Sequence, residues 1–317
     1  MKFLILSNDY TGTILYERLK EEGNEPILYN PYHKDNGISS IGSLGLAINQ
    51  RPDIAVACNT GFLRECKILR DLNIKIFGGT FFQDQVELNK DIMTKLCKQH
   101  KVRLLKETTN VECPLSTEVW FSNGEPIYQY LGYIKQTKFL TGDLGPEVDC
   151  ESVVLWSYSN RDCEPVKRIF DKGLFEALKT IKYTGVFALD SFISSDDSFP
   201  YIFKIIPRLQ SGILAAMLEI YRDDMGKLIY NILNQLQCSI LLENKIACSV
   251  AISRPPYPYS YSGLIKYITA SDSDWHIARG NIAAKIKELN IPQLQYRIDG
   301  CIQAQDYDRL KAQSYLN

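Results

Sequence analysis

Lys204 and Arg208 stand four residues apart in FPYIFKIIPRLQSG (199–212), where an apolar run carrying a lysine meets Pro207 and a glycine-containing turn. An arginine there can hold an anion through its planar fork. The lysine either marks the place of a former site or has a plainer reading: its stem lies along apolar surface and its ammonium reaches water. Upstream, TGDLGPEVDCESV (141–153) sets Gly142, Asp143, Gly145 and Pro146 before Glu147 and Asp149. Backbone N–H groups of such a turn can bind an anion; the other reading is an ordinary hairpin loop. Asp190 puts a carboxylate inside the apolar run GVFALDSFI (185–193). Asn8 and Tyr10 follow the first apolar run in SNDYTG, and Gly78, Gly79 and Lys90 lie in GGTFFQDQVELNK. Arg297 lies in QYRIDG two residues before Asp299, so a structural pairing with Asp299 stands beside ligand binding as its role.

The first hundred residues that must position these groups alternate short apolar runs with amphipathic stretches. KFLIL, EPILYN, DIAVACN and IKIFGG read as strands, and GTILYERLKEEG, GSLGLAINQ and GFLRECKILRDLN read as helices. That alternation predicts a parallel sheet with helices on its faces, and ligands of such sheets sit beyond the carboxyl ends of the strands. No GxGxxG follows the first strand, so a dinucleotide site is unsupported. VELNKDIMTKLCKQH (86–100) is expected as one helix. The character then changes. LSTEVWFSNGEPIYQYLG forms a hairpin about Asn123-Gly124, two more extended segments flank the Gly-Asp-Leu-Gly-Pro loop, and a helix is expected over 164–181. GVFALDSFI and YIFKII pair about SSDDS, and one helix is expected over 212–236. The tail reads as two strands, a helix near 281–289 and LQYRIDGCIQA. The fold class is therefore α/β plus α+β, divided as 1–100, 101–237 and 238–317.

Bulk properties narrow the function classes. The 317 residues exceed one small core. With 36 basic and 37 acidic residues the net charge is −1, which argues against nucleic-acid binding through a broad basic field. Nine scattered cysteines without CxxC spacing, and three histidines, do not make a zinc site and suit reduced thiols in the cytoplasm. No apolar run is long enough to span a membrane, and the opening run is too short for a signal-peptide core.

In this order and spacing the motifs resemble the ATP-grasp superfamily, and within it phosphoribosylamine–glycine ligase (GAR synthetase) and its virus-encoded relatives. STEVWFSNGEPI resembles the family's strand–turn–strand, and TGDLGPEVDCESV its Gly-Asp-x-Gly-Pro-Asn-Thr-Gly loop. GVFALDSFISSDDSFPYIFKIIPRLQSG resembles the hairpin carrying Glu-Phe-Asn-x-Arg-Phe-Gly, ACSVAISRPPYPYSYSG a C-terminal strand, and QYRIDG the closing YR-x-D-I-G. The resemblance runs almost end to end and implies a pre-ATP-grasp parallel-sheet domain, an ATP-grasp domain and a small mixed C-terminal domain. It implies purine-related, ATP- and magnesium-dependent joining of a carboxylate to an amine. It also implies that Gly142, Asp143, Gly145, Pro146 and Asp190 lie towards the nucleotide, and Asn8, Tyr10, Gly78, Gly79, Lys90 and Arg297 towards the substrate.

Three departures bear on that chemistry. The motif's metal-binding Glu and Asn become Lys204 and Ile206, neither of which offers an oxygen, while Arg208 matches the motif arginine. Where the family inserts several dozen residues with phosphate-contacting lysines, this chain has the fifteen residues His100 to Pro114, which implies a lid mostly lost. The loop has Glu147 for the family's asparagine and Val148-Asp149 for Thr-Gly. The expectation is a degenerate, non-ligating protein with no metal site and no required cofactor. It would bind a small anionic metabolite or a protein partner, either itself or an intact ATP-grasp protein, with no nucleic acid or membrane involved. The alternative is an active ligase using ATP and magnesium in a rearranged site, with Lys204 taking over charge from the metal.

Overall fold

The computed structural model describes residues 1–32, 38–158, 163–260, 263–313 and 315–316. The first quarter of the chain follows the expected alternation: β1 (Lys2–Leu6), α1 (Tyr10–Glu21), β2 (Glu25–Tyr29), α2 (Leu44–Asn49), β3 (Ile54–Ala57), α3 (Leu63–Asp71) and β4 (Lys75–Phe77). The four strands form a parallel sheet in the order β2-β1-β3-β4. β1 and β3 read as unbroken apolar runs because helices cover both faces of the sheet, and Phe3 through Leu6 are fully buried. Asp9 caps α1 by accepting from the Thr11 amide, and Gly23, at φ +78°, closes it in the left-handed conformation.

The single helix expected over 86–100 is two, α4 (Phe81–Leu88) and α5 (Lys90–Gln99). Asn89 ends the first and caps the second, its side chain accepting from the Asp91 and Ile92 amides. A capping side chain overrode the apolar periodicity here. Only residues 100–110 connect α5 to the next strand, and within them Leu104 bridges to Ile202.

The rest is built on one seven-stranded antiparallel sheet: β5 (Val111–Ser122), β6 (Glu125–Leu140), β7 (Leu144–Tyr158), β8 (Gly185–Ser194), β9 (Pro200–Ile206), β10 (Ile246–Ser253) and β11 (Leu264–Asp272), in the order β11-β10-β7-β6-β5-β8-β9. The expected hairpin is present, with Asn123 and Gly124 both at positive φ as a tight primed turn requires. A side chain at Gly124 would meet the backbone of Lys179 at 2.5 Å. β10 pairs with β7, so the tail strands extend the same sheet.

The helices of this half are α6 (Glu164–Thr180), α7 (Ser211–Ile220), α8 (Met225–Leu233), α9 (Trp275–Lys287) and α10 (Ala304–Ala312). The helix expected over 212–236 is thus α7 and α8, divided where Asp224 caps α8. The helix expected near 281–289 starts earlier, at Trp275, capped by Asp274. LQYRIDGCIQA is mostly turns, and α10 follows it.

One core joins the two sheets: Phe3, Ile5 and Phe77 of the parallel sheet pack with Trp120, Tyr133 and Ile206 of the large one and with α7 and α8. A second core lies across the large sheet under α6. The carboxyl ends of β1, β3 and β4 are thereby held against the end of β9.

Candidate functional site

The face of the large sheet that meets the parallel sheet carries a polar row. Strand alternation puts Ser116 of β5, Asp190 of β8 and Lys135 of β6 on that face: Ser116 is the register partner of both Asp190 and Tyr133, and Lys135 follows Tyr133 by two residues. Asp190 is buried and accepts from Ser116 Oγ at 2.7 Å through Oδ1 and from Lys135 Nζ at 2.9 Å through Oδ2. Lys135 also donates to Gln210 Oε1 at 2.8 Å, and Gln210 donates to the Tyr133 hydroxyl at 3.0 Å. Lys204 is the register partner of Asp190 on β9 and is exposed. Ser116, Lys135, Asp149, Asp190 and Lys204 line a cavity of about 160 Å³. Phe192 and Phe203, stacked with centroids 5.0 Å apart, form an apolar wall.

Behind the cavity, Arg208 holds two carboxylates from different halves of the molecule. Its Nε lies 2.8 Å from Glu87 Oε1 on α4, and its Nη2 lies 3.5 Å from Asp149 Oδ1 on β7. Burial works to raise the Asp149 carboxyl, but Arg208, then Lys135 and Lys204, hold it below the usual range. At Glu87 burial wins over the same guanidinium and raises it. Glu87 Oε2 and Asp149 Oδ2 are buried with no hydrogen-bond partner among the described residues. Further along the row, burial pushes Glu118 up to about 7, one oxygen taking the Trp120 indole N–H at 2.8 Å.

The other residues singled out in the sequence fall into separate places. Gly142 and Asp143 lie in the exposed turn between β6 and β7, and Gly145 and Pro146 in the exposed first residues of β7. Gly142 donates to Asp299 Oδ2 at 2.9 Å, and a side chain at Gly145 would press on Leu140. Arg297 sits beside this turn. It meets Asp299 through two nitrogens at 2.9 and 2.6 Å, and also reaches Asp143 Oδ1 at 2.8 Å and the Lys138 carbonyl at 2.9 Å. Its guanidinium is thus turned inward, onto the protein. The Asn8 amide donates to Asn59 Oδ1 at 3.0 Å, beside Asp9, Ser7 and the Asn59 amide group, which bond one another. Tyr10 is buried, its hydroxyl on the Ile265 carbonyl. Gly78 and Gly79 are both at positive φ, with Arg70 on their carbonyls. A side chain at Gly79 would collide with Cys66 Sγ at 2.4 Å. Lys90 begins α5 in solvent. Of the named candidates, then, the structure brings Lys204, Asp190 and Arg208 together.

Sequence reasoning passed over Lys135, Gln210, Ser116, Glu87 and Glu118. The alternation in GYIKQTKF puts Lys135 on the inner face with Tyr133, a signal available in the sequence. Nothing local to Glu87 marks it, because its partner lies 121 positions away.

No family model matches the sequence, and no curated protein matches it. Solved structures do. Phosphoribosylamine–glycine ligase from Thermotoga maritima superposes with a TM-score of 0.74 at 13% identity, over 95% of this chain and 100% of the other. Biotin carboxylase from Campylobacter jejuni, in a β,γ-ATP complex, gives 0.67 at 10% identity over 93% and 92%. N5-carboxyaminoimidazole ribonucleotide synthetase from Thermotoga maritima gives 0.61 at 12% over 93% and 99%. The chain has the ATP-grasp fold. These identities speak to the fold alone. A magnesium ion, which the resemblance to ATP-grasp enzymes implies, does not fit the residues present in this chain. Both Asp190 oxygens are already bonded, Lys204 offers an ammonium, and Ile206 offers a fully buried alkyl chain. Magnesium requires near-octahedral oxygen donors. Among the described residues no group of three or more His, Cys, Asp or Glu is arranged to hold a metal ion, and no helix is long and apolar enough to cross a membrane.

Proposed function

We propose that this is a degenerate ATP-grasp protein of the GAR-synthetase type, one that keeps the fold and acts by binding rather than by magnesium-ATP-dependent ligation. The observation that carries the reading is the state of Asp190: its carboxylate is taken by Lys135 and Ser116 and faces Lys204 across the strand pair. Losing the metal removes charge neutralisation worth several kcal/mol in phosphoryl chemistry. The short connection 100–110 supports the same reading, since no sheet or helix of its own stands between α5 and β5 to close over a nucleotide. The bound partner is a small anionic metabolite or a protein, either a second copy or an intact ATP-grasp ligase.

The competing reading is an active carboxylate–amine ligase in which Lys204 supplies the metal's charge; one fixed cation can stabilise phosphate oxygens, which keeps it in play. Calorimetric titration with ATP, with and without Mg²⁺, separates the two. No binding at millimolar ATP is expected; micromolar, magnesium-dependent binding would sink the degenerate reading. The double variant Lys204→Glu with Ile206→Asn is also expected to give no ligase turnover, because Lys135 still neutralises Asp190 and nothing covers the nucleotide. ADP formation by that variant would show that the short connection does not matter.

A further inference from the structure

We infer that in this cavity two ammonium groups take the place of a divalent cation, so that it holds the carboxylate or phosphate of a small ligand without metal. The inference rests on the non-ligating reading and names the chemistry of its site. Lys135, with its side chain 10% exposed, lies 2.9 Å from Asp190 and compensates the one carboxylate that could have faced a metal. The other acids near the cavity lie closest to other cations, with Lys204 acting on Asp149 and Glu87 only from beyond ion-pair distance. Asp149 shares Arg208 with Glu87, and Glu147 lies 3.9 Å from Lys138. Lys204 lines the cavity and has no ion-pair partner among the described residues. A divalent cation entering here would meet an ammonium, whereas an oxyanion meets a charged donor with free N–H groups and the nearby Thr137 hydroxyl.

Size limits the ligand. A volume of about 160 Å³ is room for about five water molecules, which suits a phosphate or a short carboxylic acid and not a whole nucleotide. The Phe192–Phe203 wall gives the carbon part of such an acid an apolar surface to lie on.

The test uses the full-length protein, titrated calorimetrically with inorganic phosphate and separately with acetate, each in EDTA and in excess Mg²⁺. At least one anion should bind saturably, and exchanging EDTA for Mg²⁺ should change its affinity by less than about twofold. Lys204→Ala should weaken that binding by about tenfold or more, while Lys204→Arg keeps it within about threefold. The anion bound more tightly distinguishes a phosphate ligand from a carboxylate one. Mn²⁺ added alone should give no site-bound signal in electron paramagnetic resonance. Binding that requires Mg²⁺, binding unchanged in Lys204→Ala, no binding of either anion, or a Mn²⁺ signal lost in Asp190→Asn would each overturn the inference. Magnesium-dependent ADP formation, by contrast, overturns the non-ligating reading itself, and each of the failures above can occur without it.

Discussion

Two arginines, Arg297 fully buried and Arg208 with its side chain 15% exposed, each lie between two carboxylates and do opposite things. Arg297 clasps the turn between β6 and β7: it grips Asp299 through two nitrogens, takes a backbone carbonyl, and reaches Asp143, whose side chain is 68% exposed. Both of its acids touch water, and Asp299 is held below the usual carboxylate range: burial opposes this, and the Arg297 bonds and the Gly142 amide prevail. Arg208 sits where the two sheets meet. Its acids are 7% and 16% exposed, one is raised and the other lowered, and each keeps a buried oxygen without a partner among the described residues. The more deeply buried arginine is the better satisfied one, with four hydrogen bonds from its five N–H groups. The arginine at the heart of the fold leaves acceptors open, as a site does and a clasp does not.

The largest effect should come from Arg208→Met. It keeps most of the side-chain volume but strands Glu87 and Asp149 as buried charges, and removing one partner of a buried pair costs about 3–5 kcal/mol. Urea unfolding should show that loss, and adding Glu87→Gln and Asp149→Asn to the same variant should recover part of it. A loss below about 1 kcal/mol, with no recovery, would show that the site is more hydrated than its geometry implies.

The same contrast extends to pH. Burial pushes Glu118, in the polar row, up to about 7, against an ordinary value of 4.5 that the unfolded chain recovers. The folded state therefore binds the extra proton, and the contribution is fully present below about 4.5 and lost as pH rises to about 7. Glu151, on the Arg297 side, is likewise pushed up to about 7 by burial, with the Tyr257 hydroxyl at 2.7 Å. Wild-type stability should thus fall between pH 4.5 and 7 through both glutamates, while Asp149 and Asp299, held low, work the other way only below about pH 4. Glu118→Gln should remove its share, leaving the variant more stable than wild type at pH 8 by about 1–3 kcal/mol relative to their difference at pH 4.5. Parallel unfolding curves for the two proteins at both pH values would contradict the buried, proton-binding placement of Glu118.

The sequence disclosed those parts of the molecule governed by local chemistry. The apolar runs of β1 and β3, the Asn123-Gly124 turn and the hairpin bearing Lys204 all follow from period and turn residues. Helix breaks at Asn89 and Asp224 were hidden because apolar periodicity continues across them, while one capping side chain decides the break. The site was half legible. Lys204 and Asp190 belong to motifs with a recognisable order, but what neutralises Asp190 is Lys135, three strands from Lys204 in the sheet. Arg208 was visible as a motif arginine; that it bridges α4 to β7 depends on Glu87, whose spacing in the chain carries no signal. Arg297 shows the reverse: its partner is two residues away, so the pairing with Asp299 can be read directly from RID.

The smallest effect should come from the outer acid of the clasp. Asp143→Asn removes a carboxylate from Arg297, yet Asp299 still holds the guanidinium through two nitrogens and the Lys138 carbonyl remains in place. Asp143 is mostly in water, where an ion pair is worth little, so the loss should stay below about 1 kcal/mol and shrink further in about 1 M salt, where the Debye length falls to about 3 Å. Asp149→Asn is the matched change at Arg208 and should cost more and respond less to salt, because its pair is screened by protein rather than by solvent. If the two substitutions cost the same and fade alike with salt, the distinction between a clasp and a site fails, and Arg208 becomes a second structural pin.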